Sequence, residues 1–174
     1  MLFLCPEGSM YWVALAAMLQ VGGWKSAKHL TDAEFDHYYA LRVFMDESQT
    51  KKYLKMKTEE ERDAYLKELG LWDKFYKYDD HIRQKIVDGD VQIGWTIDMV
   101  YMAWGAPYDR RKLAGRKAER SELLVYRFEQ QPDGRVLVWT EGSKTEYKAT
   151  RLFIREVTVD DDVVVAMEDK DAHW

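Results

Sequence analysis

Few residues in this chain are arranged to do chemistry. The four histidines, His29, His37, His81 and His173, are scattered, and no pair stands at the i, i+4 spacing that puts two imidazoles on one helix face for a metal. The single cysteine, Cys5, lies in an apolar segment with no histidine beside it in sequence to activate a thiolate. Neither a G-x-S-x-G elbow nor a phosphate-cradling glycine loop is present. Asp160, Asp161 and Asp162 lack the spaced oxygen ligands and bidentate glutamate of a calcium loop, and read as a charged hairpin corner. The expectation is a protein that is not an enzyme and needs no metal or cofactor.

Two clusters point to binding instead. Between residues 110 and 120, Arg110, Arg111, Lys112, Arg116, Lys117 and Arg120 stand against the single acid Glu119, a local excess of positive charge suited to a phosphate or an anionic lipid head group. A solvated connection between two elements is the plainer reading of the same run. Residues 71–78 hold Trp72, Phe75, Tyr76 and Tyr78. Such a concentration of aromatics joins core elements, or leaves Trp72, Phe75 and Tyr76 as interface anchors.

These side chains must be positioned by a chain of 174 residues, enough for one domain with a helical extension. With 47% hydrophobic and 33% charged residues and only ten Gly and three Pro, it is expected to fold. A net charge of -5 argues against nucleic acid as a partner, since phosphate binding draws on a basic surface. One cysteine excludes an intrachain disulfide and a cysteine-rich metal site. Residues 10–21 form an apolar run too short to span a bilayer but of signal-peptide size, with small residues before Trp24 and no positive charge before Lys25. The reading for residues 1–23 is an export signal, which places the mature chain in the cell envelope. The other readings are a buried helix in a cytoplasmic protein and a misassigned start codon.

Residues 24–80 read as a helical extension. Thr31 with Glu34, and Thr58 with Glu61, fit the capping box, in which hydroxyl and carboxylate satisfy two free N–H groups at a helix start. Residues 48–56 form a short amphipathic segment between them. A further helix is expected over 80–88, burying Ile82, Ile86 and Val87 and ending at Gly89. The period then changes. Leu124, Tyr126 and Phe128 alternate over 122–130 as in a half-buried strand, Pro132-Asp133-Gly134 is a turn, and strands are expected over 135–140, 146–159 and 163–167. The expected fold is α+β, a helical N-terminal part packed on a three- to five-stranded antiparallel meander.

Between the halves, Gly94, Thr96, Val100, Trp104, Gly105 and Pro107 bound a short helix. Thr96 is placed to cap it, Asp98 sits at its positive end, Met99, Val100, Ala103 and Trp104 form its apolar stripe, and Gly105 with Pro107 ends it. This register, followed by the aromatic strand and a closing strand pair, resembles the BamE (SmpA/OmlA) domain of bacterial outer-membrane assembly lipoproteins. The resemblance covers residues 82–167 and implies a BamE-like domain over 81–174. It implies a non-enzymatic binding or scaffold protein of the envelope, partnered by another envelope protein or complex. Members of that family are associated with phosphatidylglycerol, which raises an anionic phospholipid as an alternative ligand; a small molecule or lipid held in the space between helices and sheet is the alternative class. Here Val21-Gly22-Gly23 is followed by Trp24, where the family carries its lipidated cysteine.

Overall fold

The computed structural model describes residues 27, 29–141, 143 and 145–173. Residues 1–23, where an export signal was expected, lie outside them. Helices come first: α1 (Asp32–Leu41), a 3-10 turn (Arg42–Phe44), α2 (Glu47–Lys55), α3 (Glu59–Glu68), α4 (Trp72–Tyr76), α5 (Asp80–Asp88) and α6 (Ile97–Trp104). The strands follow: β1 (Asp109–Lys112), β2 (Ser121–Gln130), β3 (Val136–Val138), β4 (Arg151–Asp160) and β5 (Val163–Asp171). The class is α+β, with the helices N-terminal to a five-stranded antiparallel sheet.

The helix starts follow local chemistry. Thr31 Oγ1 accepts from the Glu34 N–H at 3.3 Å, and Glu34 Oε2 accepts from the Thr31 N–H at 2.7 Å, closing the first capping box. Asp46 and Gln49 form a second box at the start of α2 that threonine-based reading overlooks. The third departs from expectation: Thr58 caps α3, but Glu61 reaches one residue further back and takes the Lys57 N–H at 2.9 Å. Helix α5 ends as expected on Gly89, whose φ of 72° is open to glycine at little cost.

Thr96 holds the N-cap position of α6 without a side-chain cap bond. The Ile97 N–H is taken instead by the Asp162 carbonyl at 2.8 Å, so the corner between β4 and β5 does what the hydroxyl was expected to do. The opposite end of α6 is tied twice, by Tyr39 donating to the Ala103 carbonyl and Tyr126 to the Gly105 carbonyl. Trp104 lies between α5 and the sheet, and its indole N–H donates to the Gly89 carbonyl at 2.9 Å.

Strand β2 is the sheet's centre. It pairs with β4 along its whole length, while β1 and β3 share its other edge at opposite ends. Sequential pairing of neighbouring strands therefore breaks at β3, and the chain crosses from one side of β2 to the other between Val138 and Arg151. Within that crossing, the expected early start of the 146–159 strand is replaced by a 3-10 turn, Glu146–Lys148, with Glu146 accepting from the Trp139 indole at 2.7 Å. The last strand runs four residues beyond Met167 because cross-strand ion pairs take over where apolar alternation stops: Arg155 with Asp169, Lys170 with Glu156 and Arg151 with Asp171.

One hydrophobic core draws on both halves of the sequence. Tyr39, Leu41, Tyr53 and Leu66 from the helices are buried in it with Val100, Met102, Leu124, Tyr126 and Val157.

Candidate functional site

The junction of helices and sheet brings the motif and part of the basic run together. Gly105 (φ 80°) releases the chain from α6, Pro107 follows at half exposure, and β1 begins two residues later. A pocket of about 380 Å³ opens there, walled by Val43, Phe44, Tyr101, Ala106 and Pro107, with Arg110 at its rim. Asp98, also on the rim, is held by Lys74 at 2.6 Å. Of the remaining motif residues, Val100 and Trp104 are buried, and Gly94 passes its N–H to the Val164 carbonyl at 2.8 Å. The motif thus builds the joint between α6 and β5.

The basic run is more ordered than a loop reading implies. Arg110, Arg111 and Lys112 lie on strand β1, whose charged sequence shows no apolar alternation because it is an exposed edge held by backbone pairing. Four of its cations already face carboxylates: Arg110 meets Glu122 at 2.5 Å, Arg111 meets Asp109 at 2.6 Å, Arg116 grips Asp160 through two nitrogens, and Arg120 meets Asp162 at 2.6 Å. Arg116 beside Asp160 holds that carboxyl below its ordinary value. Lys112 and Lys117 are exposed and have no carboxylate partner among the described residues. Accordingly the run presents far less uncompensated charge than its sequence suggests.

The aromatic cluster closes around a histidine that sequence spacing did not single out. Phe75 is buried, while Trp72 and Tyr76 are half-buried and stacked with ring centroids 4.0 Å apart. All three lie within 6 Å of the His37 ring, and the Tyr76 hydroxyl bonds His37 Nε2. The Nδ1–H tautomer fits this bond and turns its proton toward Asp63 Oδ1, 4.0 Å away, a buried oxygen with no hydrogen-bond partner. Burial pushes His37 down to about 4, the Glu34 charge opposing and Arg83 adding to the shift. Its contact with Asp63 is therefore not an ion pair at neutral pH.

Beside it, Asp36 lines a smaller cleft of about 270 Å³ with Tyr76 and Arg83. Burial, then the neighbouring Asp32 and Asp88 carboxylates, raise its carboxyl to about 6. Asp36, His37, Asp63, Tyr76 and Arg83 come from four different helices, so no local spacing could have announced the cluster.

The two shifts have opposite signs in stability. Asp36 holds its proton more tightly in the folded chain than its ordinary 3.8 allows, so its contribution is present below pH 3.8 and is lost as pH rises to about 6. His37 prefers its neutral form when folded, so its contribution is present above pH 6.5 and is lost as pH falls toward about 4. Between pH 4 and 6 the slopes oppose, and wild-type stability is expected to change little there on their account. Asp36→Asn should remove one slope, leaving stability that climbs with pH through this window. At pH 7.5 it should exceed wild type by on the order of 1–2 kcal/mol, the shift being discounted for partial exposure. Urea titrations at pH 4.5, 6 and 7.5 measure this, and an Asn variant no more stable than wild type at pH 7.5 would contradict the strained carboxylate.

No protein-family model, no curated protein and no solved structure matches this chain.

Proposed function

We propose that this chain is a non-enzymatic binding or scaffold protein of the cell envelope, BamE-like in residues 81–174, that docks onto another envelope protein or complex through the junction of α6 and β1. The observation that carries this reading is the junction pocket. Its apolar walls, Val43, Phe44, Ala106 and Pro107, suit an apolar anchor side chain from a partner. Support from sequence is the motif itself, whose closing Pro107 lines the pocket beside Ala106.

The alternative ligand, an anionic phospholipid or small molecule, is favoured by Arg110 at the pocket rim and by Lys112 and Lys117, which face no carboxylate among the described residues. Against it stand the carboxylates already facing Arg110, Arg111, Arg116 and Arg120.

A photoreactive residue in place of Ala106, which is exposed at the pocket mouth, should give one discrete adduct in native cells, recovered with the envelope fraction. The same residue at Lys55, remote on α2, should give none. The Gln variant of Arg110, Arg111, Arg116 and Lys117 should fold normally, these cations being surface-exposed. If lipid is the ligand, wild type binds phosphatidylglycerol vesicles at low salt, and that affinity falls by about 1 kcal/mol for each charge removed near the surface. Wild type that ignores such vesicles leaves protein docking. An intact chain found wholly in the cytosol would overturn the envelope assignment.

A further inference from the structure

Strand β5 ends the sheet, and its outer edge is only half covered. The segment preceding α6 pairs with its first residues: the Val164 N–H goes to the Trp95 carbonyl at 2.8 Å, Gly94 N–H to the Val164 carbonyl and Ile97 N–H to the Asp162 carbonyl. That cover stops at Val164, where a bulge interrupts the pairing of β4 with β5. From Met167 to Asp171 the pairing is regular on the β4 side, and among the described residues no strand pairs with the other.

The direction of the free groups is fixed by alternation. The Ala172 N–H goes inward to the Leu152 carbonyl at 3.1 Å, so Met167, Asp169 and Asp171 point their N–H and C=O groups outward. An added antiparallel strand must match outward residues with outward residues. If that strand is β5 of another molecule, a twofold axis at Asp169 pairs Asp169 with its own copy and Met167 with Asp171 in both directions. All three outward residues are then satisfied.

The same register sets Glu168 directly opposite Lys170 of the second copy, twice. These two share one face of the strand and are exposed, and in this alignment they occupy the closely spaced, non-hydrogen-bonded pairs. Moving the axis by one residue either way keeps the backbone match but sets Glu168 against Glu168 or Lys170 against Lys170. On the other face, Asp169 at the axis is already neutralised by two hydrogen bonds from Arg155, at 2.6 and 2.8 Å, which hold its carboxyl below the ordinary value, though burial works the other way. Charges on an edge strand ordinarily keep edges apart. Here one register turns them into attraction.

We propose that the open half of β5 is a self-association edge, on which a second copy of this chain adds in antiparallel register about Asp169 and continues the sheet across both molecules. Five residues of edge make a small interface, so the dimer is expected to be weak and concentration-dependent.

Charge exchange tests the register as well as the association. Wild type should show a reversible monomer–dimer equilibrium in sedimentation equilibrium at concentrations of tens to hundreds of micromolar, the range suited to a small interface. Glu168→Lys sets lysine against lysine and Lys170→Glu sets glutamate against glutamate, so each alone should weaken dimerisation about tenfold or more. An equimolar mixture of the two variants restores opposite charges at both pairs and should regain wild-type association as a heterodimer. Both positions are exposed, but Lys170→Glu also loses the pair with Glu156 at 2.6 Å, so its melt is expected somewhat below wild type, and the register is read from recovery in the mixture, which an intrachain loss would not restore. A wild-type chain that stays monomeric to about 1 mM would overturn the proposal, as would single variants that dimerise normally or a mixture that does not recover.

Discussion

Arg62→Ala is expected to destabilise the fold by roughly 3–5 kcal/mol, the cost of leaving a buried charge without its partner. Arg62 and Glu34 are both buried, and the guanidinium meets Glu34 Oε1 through Nε at 2.6 Å and again through its terminal nitrogen. Its other terminal nitrogen donates to the Met56 carbonyl at 2.6 Å, which closes the turn between α2 and α3. The second Glu34 oxygen is occupied by the Thr31 N–H. One carboxylate therefore starts α1 and anchors α3, and removing Arg62 strands it.

The pH dependence carries the mechanism. Burial pushes the Glu34 carboxyl up, but the Thr31 N–H and the Arg62 guanidinium together bring it below its ordinary 4.5. In wild type this contribution is present above pH 4.5 and is lost as the carboxylate is protonated in acid. With Arg62 gone, burial is opposed only by Thr31, the balance tips toward the protonated form, and the variant's deficit should shrink as pH falls. Glu34→Met with Arg62→Met should cost far less than Arg62→Ala alone, since an apolar pair of similar bulk carries no stranded charge. Urea denaturation from pH 4 to 8 reads all three. A loss below about 1 kcal/mol for Arg62→Ala would mean that water reaches the carboxylate.

What the sequence disclosed follows the range of the interactions. Capped helices were legible because Thr31 and Glu34, or the Gly89 terminator, act within one turn. Strand β2 was legible because Leu124, Tyr126 and Phe128 bury one face of alternate residues. Strand β1 was hidden, since an edge strand of Asp and Arg earns its pairing from backbone groups that leave no mark on composition. The extension of β5 past Met167 was hidden similarly, resting on ion pairs with residues about fourteen to twenty positions earlier. Position of β3 depends on which edge of β2 is free, a tertiary property. For the candidate sites, the motif placed Gly105 and Pro107 but not the Val43 and Phe44 walls opposite them, and the basic run gave its charges without the acids that face them.

Trp104→Ala is expected to cost about 3–5 kcal/mol, the usual range for deleting a buried aromatic. Trp104 is only 4% exposed, and its ring meets Tyr126 and Phe128 edge-on, with centroids 5.1 and 5.2 Å away. Three losses combine: the transfer of the ring from water, the cavity left between α5, α6 and β2, and the Gly89 carbonyl deprived of its indole donor at the end of α5. Trp104→Phe separates them, because it keeps most of the ring contact and removes the donor. It should fall between wild type and the alanine variant, with a loss of roughly 1–3 kcal/mol from the orphaned carbonyl and the reduced ring. Equal losses for Phe and Ala would assign the effect to the hydrogen bond rather than to packing. A loss under about 1 kcal/mol for Ala would place the ring in water and make it a docking residue instead of the joint between the motif helix and the sheet.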